Sequence, residues 1–269
     1  MKVASLPAVS APFEWRRHEE LTWIEATLSE ARAVFSTRLG GVSDGAYAQL
    51  NLGILTEDDP ANVWQNRRLL AEALDRDPEA VVLGLQVHGS NVQVQRARPS
   101  SVSFMTPHTG LARADAQLTH RAEVTPLVLV ADCAPLVLSA PRSVGAVHCG
   151  WRGTSSGIVT RALESLCDLA ETTPAGVSAA VGPAIGPCCY EVGEEVQIAF
   201  ERRGLGAALD GTKVDLAAAI ALELTAAGVD RASIARTGIC TSCNPELFFS
   251  HRRDRGVTGR QAGLGWLTV

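Results

Sequence analysis

The chain has 269 residues, of which 46% are hydrophobic, and a formal net charge of −5. This length can bury a sizeable core, and the acidic balance excludes nucleic acid as the main partner because a phosphate backbone needs a basic surplus. No apolar run approaches the roughly 20 residues of a membrane helix. The seven cysteines are odd in number, so we expect reduced thiols and a cytoplasmic protein rather than a disulfide framework.

Helical periodicity appears in four segments of the chain. The first begins at Asp59-Pro60, with proline at the favoured first position, and runs to about Leu74. The second starts among three hydroxyl residues, and the fourth stops at Gly228, a residue type that favours helix ends. These three later segments cover residues 154–169, 192–200 and 215–228.

Short β-branched runs between the helices predict strands. They cover residues 81–85, 92–94, 125–130, 136–138, 144–147 and 177–181. Several are apolar almost throughout, which is typical of strands buried on both faces. Because the strands between residues 81 and 148 follow one another without a predicted helix, they do not fit a regular α/β alternation. The predicted fold is α+β, a single domain over residues 1–269 of mixed sheets layered with helices, in which residues 1–20 form a peripheral leader.

Three potential metal ligands stand just beyond apolar runs. His88 follows the first predicted strand, Cys133 comes after the run that ends at Ala131, and His148 ends the run 144–147. Two imidazoles and one thiolate suit zinc and leave a fourth coordination position open for water or substrate. Their spacing matches no short zinc motif, so residue types alone leave open a buried core thiol with two ordinary histidines.

Eight short segments carry a resemblance to a known family. They are residues 35–43 (FSTRLGGVS), 51–53 (NLG), 86–89 (QVHG), 114–116 (ADA), 131–133 (ADC), 148–153 (HCGWRG), 182–192 (GPAIGPCCYEV) and 249–254 (FSHRRD). In this order they resemble the YfiH family, which is also labelled laccase-domain, polyphenol oxidase or peptidoglycan-editing factor. The resemblance extends over residues 35–267 and implies a YfiH/CNF-like fold.

The resemblance further implies a zinc site made by His88, Cys133 and His148. It implies phosphorolysis of purine nucleosides (adenosine, inosine, guanosine and methylthioadenosine) to the free base and ribose 1-phosphate, together with adenosine deamination. The expected partners are therefore a purine nucleoside and phosphate, and the oligomeric state is not predicted. Cys149 departs from the family pattern, in which a small residue such as alanine follows the second histidine, and it puts a second thiol beside the metal.

Residue types suggest candidates for the remaining roles. Arg38 in a glycine-rich turn and Arg152 before a helix start could hold phosphate, or they could brace loops through carboxylates. Asn51 could hydrogen-bond ribose or phosphate, or cap a turn. Asp115 and Asp132 could carry protons or orient the histidines, and Cys133 could itself be catalytic; either carboxylate could also be a structural turn residue.

Three rival functions stay open at this stage. A metal-free cysteine hydrolase would use Cys133 as nucleophile and a histidine as base. A peptidoglycan-precursor editing factor would recognise wrongly built wall precursors. A copper laccase is less favoured because the chain has six histidines and no His-x-His pair, although Cu²⁺ remains an alternative or adventitious ion for the same ligands.

Two other groups of polar residues receive structural interpretations. Cys240-x-x-Cys243 could form a second zinc or redox site, but nothing pairs with it at zinc-ribbon spacing, so these two residues are interpreted as structural thiols. Cys188 and Cys189, beside Gly186-Pro187, are interpreted as shaping a turn, with a role in the active site as the alternative. The basic segment 251–255 is interpreted as a solvated surface whose charges pair with one another.

Overall fold

A computed structural model describes residues 6–99, 104–105 and 110–268. Within these ranges the chain forms fourteen strands and five α-helices. The strands are β1 (Phe13–His18), β2 (Leu21–Thr27), β3 (Ala31–Ser36), β4 (Val81–Val82), β5 (Val92–Gln95), β6 (Ala116–Thr119), β7 (Thr125–Val130), β8 (Ala134–Ala140), β9 (Ser143–Cys149), β10 (Ser178–Val181), β11 (Leu209–Asp210), β12 (Lys213–Val214), β13 (Ile234–Arg236) and β14 (Gln261–Leu267). The α-helices are α1 (Pro60–Ala73), α2 (Trp151–Ser155), α3 (Ile158–Ala170), α4 (Glu194–Arg203) and α5 (Leu216–Ala226).

Most strands belong to two mixed sheets. The first has the order β1-β2-β3-β14-β7-β4 and the second the order β13-β10-β8-β9-β6-β5. Parallel pairing occurs in β4–β7, β5–β6 and β10–β13, and the other pairs within these sheets are antiparallel. This mixture of parallel and antiparallel strands with unevenly spaced helices confirms the predicted α+β fold.

The two sheets pack face to face, and helices cover their outer faces. Two glycines of β14 allow the close approach: a Cβ at Gly263 would lie 2.4 Å from Cβ of Pro135, and one at Gly265 would lie 2.8 Å from Cγ1 of Val137. Leu70 of α1 is buried in the apolar cluster on the outer side of the first sheet. Helix α3 packs against β5, β6, β8 and β9 of the second sheet, and α5 packs on α3 and α2. Apolar residues of α3, α4 and α5 are buried in one cluster on this side. The result is a four-layer arrangement with two sheets inside.

Local capping explains why two predicted helices form where expected. The Asp59 side chain accepts a hydrogen bond from the backbone N–H of Ala61 at the start of α1, and Pro60 occupies the first turn. The Asp215 side chain accepts from Ala218 N–H at the start of α5. The second predicted helix is divided, because Gly157 has a φ of 85° and separates α2 from α3.

The N-terminal prediction needs correction. Residues 1–5 of the predicted leader lie outside the described residues, but Phe13–His18 form β1, the edge strand of the first sheet, paired antiparallel with β2. Phe13 is buried beside Phe35, with ring centroids 6.3 Å apart. Apolar burial and a strand ladder therefore integrate this segment into the domain. None of the described helices has both the length and the apolar character needed to cross a membrane.

The predicted strand 81–85 is shorter than expected. Only Val81–Val82 pair with β7, and Leu85 makes an isolated bridge with Arg113. Between them the chain passes close to the segment before β6, where a Cβ on Gly84 would lie 2.4 Å from the carbonyl oxygen of Ala114. This close approach directs residues 83–88 away from the sheet and along the wall of a cavity.

Candidate active site

The three predicted ligands meet at one end of the two sheets. His148 lies near the end of β9, paired with Pro135 of β8, and Cys133 precedes β8. His88 comes from the segment that leaves β4. Their ligand atoms all lie within 4.8 Å of one another, and the two imidazole centroids are 4.8 Å apart. His148 is buried, Cys133 is half-buried and His88 is exposed, so the group opens to solvent on the His88 side.

Asp115 holds both histidine segments. Its fully buried carboxylate accepts hydrogen bonds from the backbone N–H groups of Val87 (3.2 Å), His88 (2.9 Å) and Gly89 (2.9 Å). The same Oδ1 that accepts from His88 lies 2.8 Å from Nδ1 of His148. These contacts stabilise the left-handed φ of 57° at His88, and they leave Nε2 of His148 free to face Cys133.

The charges at the site favour an ionised cysteine. Burial opposes ionisation of the Cys133 thiol, but the positive charge of His148 and hydrogen bonds from both histidines lower its pKa from 9.0 to about 6. Burial by itself would lower the pKa of His148, whereas the Cys133 charge and the Asp115 hydrogen bond raise it from 6.5 to about 9. Without a metal, this pair is a thiolate beside an imidazolium. The thiolate is the form in which cysteine binds a metal, and His148 has to release its proton before it can become a ligand.

Cys149 faces away from this group. Neighbouring residues of a strand point to opposite faces of the sheet, and Cys149 belongs to the apolar cluster beneath α3. Burial raises the pKa of its thiol well above 9.0. The departure from the family pattern therefore adds a core residue rather than a fourth ligand.

Gly150 makes room for the ligands at the start of α2. A Cβ at this position would lie 2.9 Å from Sγ of Cys133 and 3.0 Å from Cδ2 of His88. Any side chain here would displace one of the two ligands, because carbon atoms pack at about 3.5–4.0 Å.

The three candidate ligands form part of the wall of a cavity of about 550 Å³. This volume suits a small organic molecule. Much of the wall is apolar and comes from residues on several elements: Ile54, Leu55, Leu83, Leu85, Leu129, Trp151 and Ile185. Three arginines, Arg152, Arg252 and Arg260, add positive charge to the same wall. The cavity therefore offers an apolar surface, an anion-attracting side and a possible metal centre together.

Two of these arginines were not predicted as site residues, and neither was a neighbouring tyrosine. Arg260 lies just before β14, where its Nη1 donates to the carbonyl oxygens of Thr258 and Gly259. The Arg252 guanidinium lies 5.1 Å from the ring centroid of Tyr190, a residue that also lines the cavity. Burial raises the pKa of Tyr190 to about 12, so its phenol stays a hydrogen-bond donor. The resemblance of residues 182–192 was the available signal for Tyr190, while Arg260 had none.

The segment 251–255 is only partly the self-paired surface that was expected. Arg253 and Asp254 do pair, with Nη2 donating to Oδ2 over 2.7 Å. His251 and Arg252, by contrast, line the cavity. The Arg252 Nη1 donates to the carbonyl oxygen of Glu191 at 2.7 Å, which ties this segment to the one that carries Tyr190.

Asp132 lines the cavity but does not orient a histidine. It has a left-handed φ of 84°, and its oxygens accept from the Thr241 hydroxyl and the Arg252 backbone N–H, each at 2.6 Å. This carboxylate therefore holds the turn before Cys133 against the segment of Arg252. Of the two candidate carboxylates, only Asp115 contacts a candidate ligand histidine.

Arg38 and Asn51 are not among the residues that line the cavity. The Arg38 guanidinium donates to the carbonyl oxygens of Ala48 and Pro245, so it braces loops through backbone carbonyls rather than through carboxylates. Asn51 is fully buried: its amide donates to Thr56 and Asp58, and its oxygen accepts from Gly53 and Arg260 backbone N–H groups at 3.0 and 2.8 Å. Asn51 thus positions cavity residues rather than contacting a ligand there. Arg152 does line the cavity, with its guanidinium 4.2 Å from the ring centroid of Trp151.

Comparisons with known proteins identify the family of the chain. Residues 32–268 match the family described as multi-copper polyphenol oxidoreductase laccase. A purine nucleoside phosphorylase named YlmD from Geobacillus stearothermophilus is 37% identical over 244 residues, covering 86% of this chain and 88% of the relative. A purine nucleoside phosphorylase from Deinococcus radiodurans is 40% identical over 233 residues, covering 84% and 85%. The crystal structure of the hypothetical protein YfiH from Bacillus licheniformis has a TM-score of 0.89 and 30% identity, covering 96% of this chain and all of that one. The chain therefore belongs to the laccase-like YfiH family, whose curated relatives here are named purine nucleoside phosphorylases.

Proposed function

We propose that this protein is a zinc-dependent purine nucleoside phosphorylase that also deaminates adenosine. The observation that carries the proposal is the group of His88, Cys133 and His148, whose ligand atoms lie within 4.8 Å of one another on the wall of an apolar cavity that also holds three arginines. The names of the relatives support the reaction class. The reduced cysteines support a cytoplasmic location.

The ligand types fit zinc at this site. Imidazole nitrogen and thiolate sulfur are donor types that catalytic zinc sites use, and three protein ligands leave one position open. Asp115 supplies the hydrogen bond that such a site needs on the far nitrogen of a ligand histidine. Copper would compete for the same ligands on affinity alone. A laccase reaction fits less well, because the chain has six histidines and no His-x-His pair.

The cavity wall contains residues suited to each part of the substrate. The purine packs against apolar residues such as Leu129 and Ile185, while the guanidinium groups of Arg152 and Arg260 hold phosphate. Phosphorolysis then proceeds by attack of a phosphate oxygen on the sugar C1′. The C1′–N9 bond breaks, its electron pair stays on the purine, and the departing base takes up the proton that the attacking hydrogen phosphate loses.

The chain's own residues supply positioning and protons. The Tyr190 phenol, kept protonated by burial, donates a hydrogen bond to the substrate within the cavity. His88, Cys133 and His148 hold zinc, which supplies Lewis acidity when bound. For deamination, water adds at purine C6 and ammonia leaves, so this reaction needs no phosphate.

The test is metal content together with product analysis. Protein purified without added metal is compared with Cys133→Ala for zinc per chain, and adenosine turnover is measured with and without phosphate. We expect Cys133→Ala to contain about one zinc less per chain and to lose phosphate-dependent adenine release. Inosine formation without phosphate would leave only the deaminase, and an unchanged zinc content would refute the metal site.

A metal-free cysteine hydrolase is the second candidate, and one observation favours it. Asp115, His148 and Cys133 form a chain in which the carboxylate orients the imidazole and the imidazole ionises the thiol. In a hydrolase, activity survives a strong chelator and stops when Cys133 is alkylated. In the zinc enzyme, the chelator abolishes activity and bound zinc protects Cys133 from alkylation.

A further inference from the structure

Four cysteines form a second cluster away from the three-ligand group. Their sulfur atoms all lie within 4.8 Å of one another, and Sγ of Cys243 is 3.5 Å from Sγ of Cys188 and 3.3 Å from Sγ of Cys189. The fourth member, Cys240, is buried, whereas Cys188 and Cys243 are exposed. Sequence spacing did not predict this group, since the two pairs are about fifty residues apart.

Parallel strand pairing brings the two cysteine pairs together. Strands β10 and β13 lie side by side and run in the same direction, so the segments that follow them leave the sheet at one edge. The pairing continues beyond the strands through a parallel bridge between Ala184 and Cys240 and a hydrogen bond from Thr241 N–H to the Ala184 carbonyl. A turn at Gly186 then carries the first cysteine pair back towards the second.

The surroundings of the sulfurs resemble those of thiolate ligands. The backbone N–H of Gly186 donates to Sγ of Cys240 at 3.2 Å, and such outer hydrogen bonds fix the orientation of metal ligands. A Cβ on Gly186 would lie only 3.3 Å from Sγ of Cys188. The glycine therefore leaves space directly beside the sulfurs that a larger residue would fill.

The distances between the sulfurs suit one metal ion. Four thiolates at about 2.3 Å from a tetrahedral zinc ion are separated from each other by about 3.8 Å. A disulfide would instead bring two of them to about 2.05 Å and leave the other two without a shared function. Tetrahedral sites made of four sulfurs are typical of zinc and of iron, and structural sites of this kind leave no open position for substrate.

We propose that Cys188, Cys189, Cys240 and Cys243 bind a structural zinc ion that joins the segments following β10 and β13. These segments reach the cavity directly. Tyr190 follows Cys189, and Thr241, which donates to Asp132, follows Cys240. Two arginine side chains also hold these segments: Arg252 donates to the Glu191 carbonyl oxygen, and Arg253 donates to the Thr241 carbonyl oxygen. The ion thus fixes one wall of the cavity without contacting the substrate.

The first test uses Cys133→Ala, which removes a ligand of the other site. Reduced protein expressed with zinc is measured for metal content and by X-ray absorption at the zinc edge. We expect about one zinc per chain, surrounded by four sulfur atoms at about 2.3 Å. Iron in its place, a zinc shell rich in nitrogen, the absence of metal, or a disulfide among the four cysteines would overturn the proposal. Loss of the catalytic zinc alone leaves this result unchanged, so the two metal proposals fail separately.

The second test removes two of the thiolates from the otherwise intact chain. The double variant Cys240→Ser, Cys243→Ser is expected to lose about one zinc per chain and to have a lower Tm, because the ion joins two segments of the folded chain. Cys167→Ser is the control, since it changes a buried thiol on α3 outside the cluster. Equal zinc content and Tm in the double variant and the wild type would contradict a metal site. If the double variant does not fold, the measurement on Cys133→Ala still decides the question.

Discussion

Replacing Asp115 by asparagine changes the charge of a fully buried side chain while keeping its volume. Oδ1 accepts from the His88 backbone N–H and lies 2.8 Å from Nδ1 of His148, and Oδ2 accepts from the Val87 and Gly89 N–H groups. Asparagine has one oxygen and one NH₂ group. In either orientation of the amide, two of the four donors therefore lose their acceptor and face another donor.

The size of the effect follows from those contacts. Hydrogen bonds to a charged group contribute about 1.5–3 kcal/mol each, so two lost bonds cost about 3–6 kcal/mol of unfolding free energy. In Asp115→Asn, the contact with Nδ1 of His148 is either lost or made by a neutral amide oxygen in place of a carboxylate, and such a change at the outer partner of a ligand histidine typically weakens metal binding by about 10–100-fold. We expect both changes in Asp115→Asn: reduced stability and weaker zinc binding at the site of His88, Cys133 and His148.

The assays are urea unfolding of the metal-stripped protein and zinc competition against a chromophoric chelator. Asp210→Asn is the matched control, because this substitution removes the same charge from an exposed residue of β11, away from the site. An Asp115→Asn variant with the stability and zinc affinity of the control would refute the role assigned to this carboxylate. A variant that loses stability but keeps its zinc affinity would mean that Asp115 supports the fold only.

Three further predictions concern the cavity. In metal-stripped protein, the alkylation rate of Cys133, measured by peptide mass spectrometry, should level off above pH 7 and fall as the pH drops through about 6. The reason is the lowered pKa of the thiol, which keeps Cys133 ionised above that pH. A rate that still rises towards pH 9 would show that the thiol has an unshifted pKa. Gly150→Ala should bind zinc at least about 10-fold more weakly, because its Cβ would lie 2.9 Å from the Cys133 sulfur. The control Gly206→Ala should bind zinc as the wild type does, because a Cβ there meets nothing within 4 Å. Arg260→Met should raise the KM for phosphate about 10-fold or more, because a charged contact to phosphate is lost. Arg161→Met, which changes an exposed arginine, is the control, and equal KM values in the two variants would show that Arg260 does not bind phosphate.

Residue patterns alone predicted the elements whose signals are local. Helices α1 and α5 begin at aspartate caps that bond their own first turn, and β7 covers Thr125–Val130 as its uninterrupted apolar run indicated. Strand β14 was not predicted, because Gly263 and Gly265 disfavour a strand in isolation. Those glycines belong there because the second sheet packs too closely for a side chain, which is a property of the tertiary structure.

The same division holds for the candidate site. The types and strand-end positions of His88, Cys133 and His148 were visible in the sequence, and the family resemblance grouped them. Only the tertiary structure showed that Asp115 orients His148, because that contact joins the residue before β6 to the neighbouring strand β9. Only the tertiary structure showed that Arg38 lies outside the cavity. Only the tertiary structure showed that the parallel pairing of β10 and β13 brings Cys188, Cys189, Cys240 and Cys243 together. Ligand chemistry belongs to single residues and can be read along the chain, whereas proximity depends on strand order and is settled only when the sheets assemble.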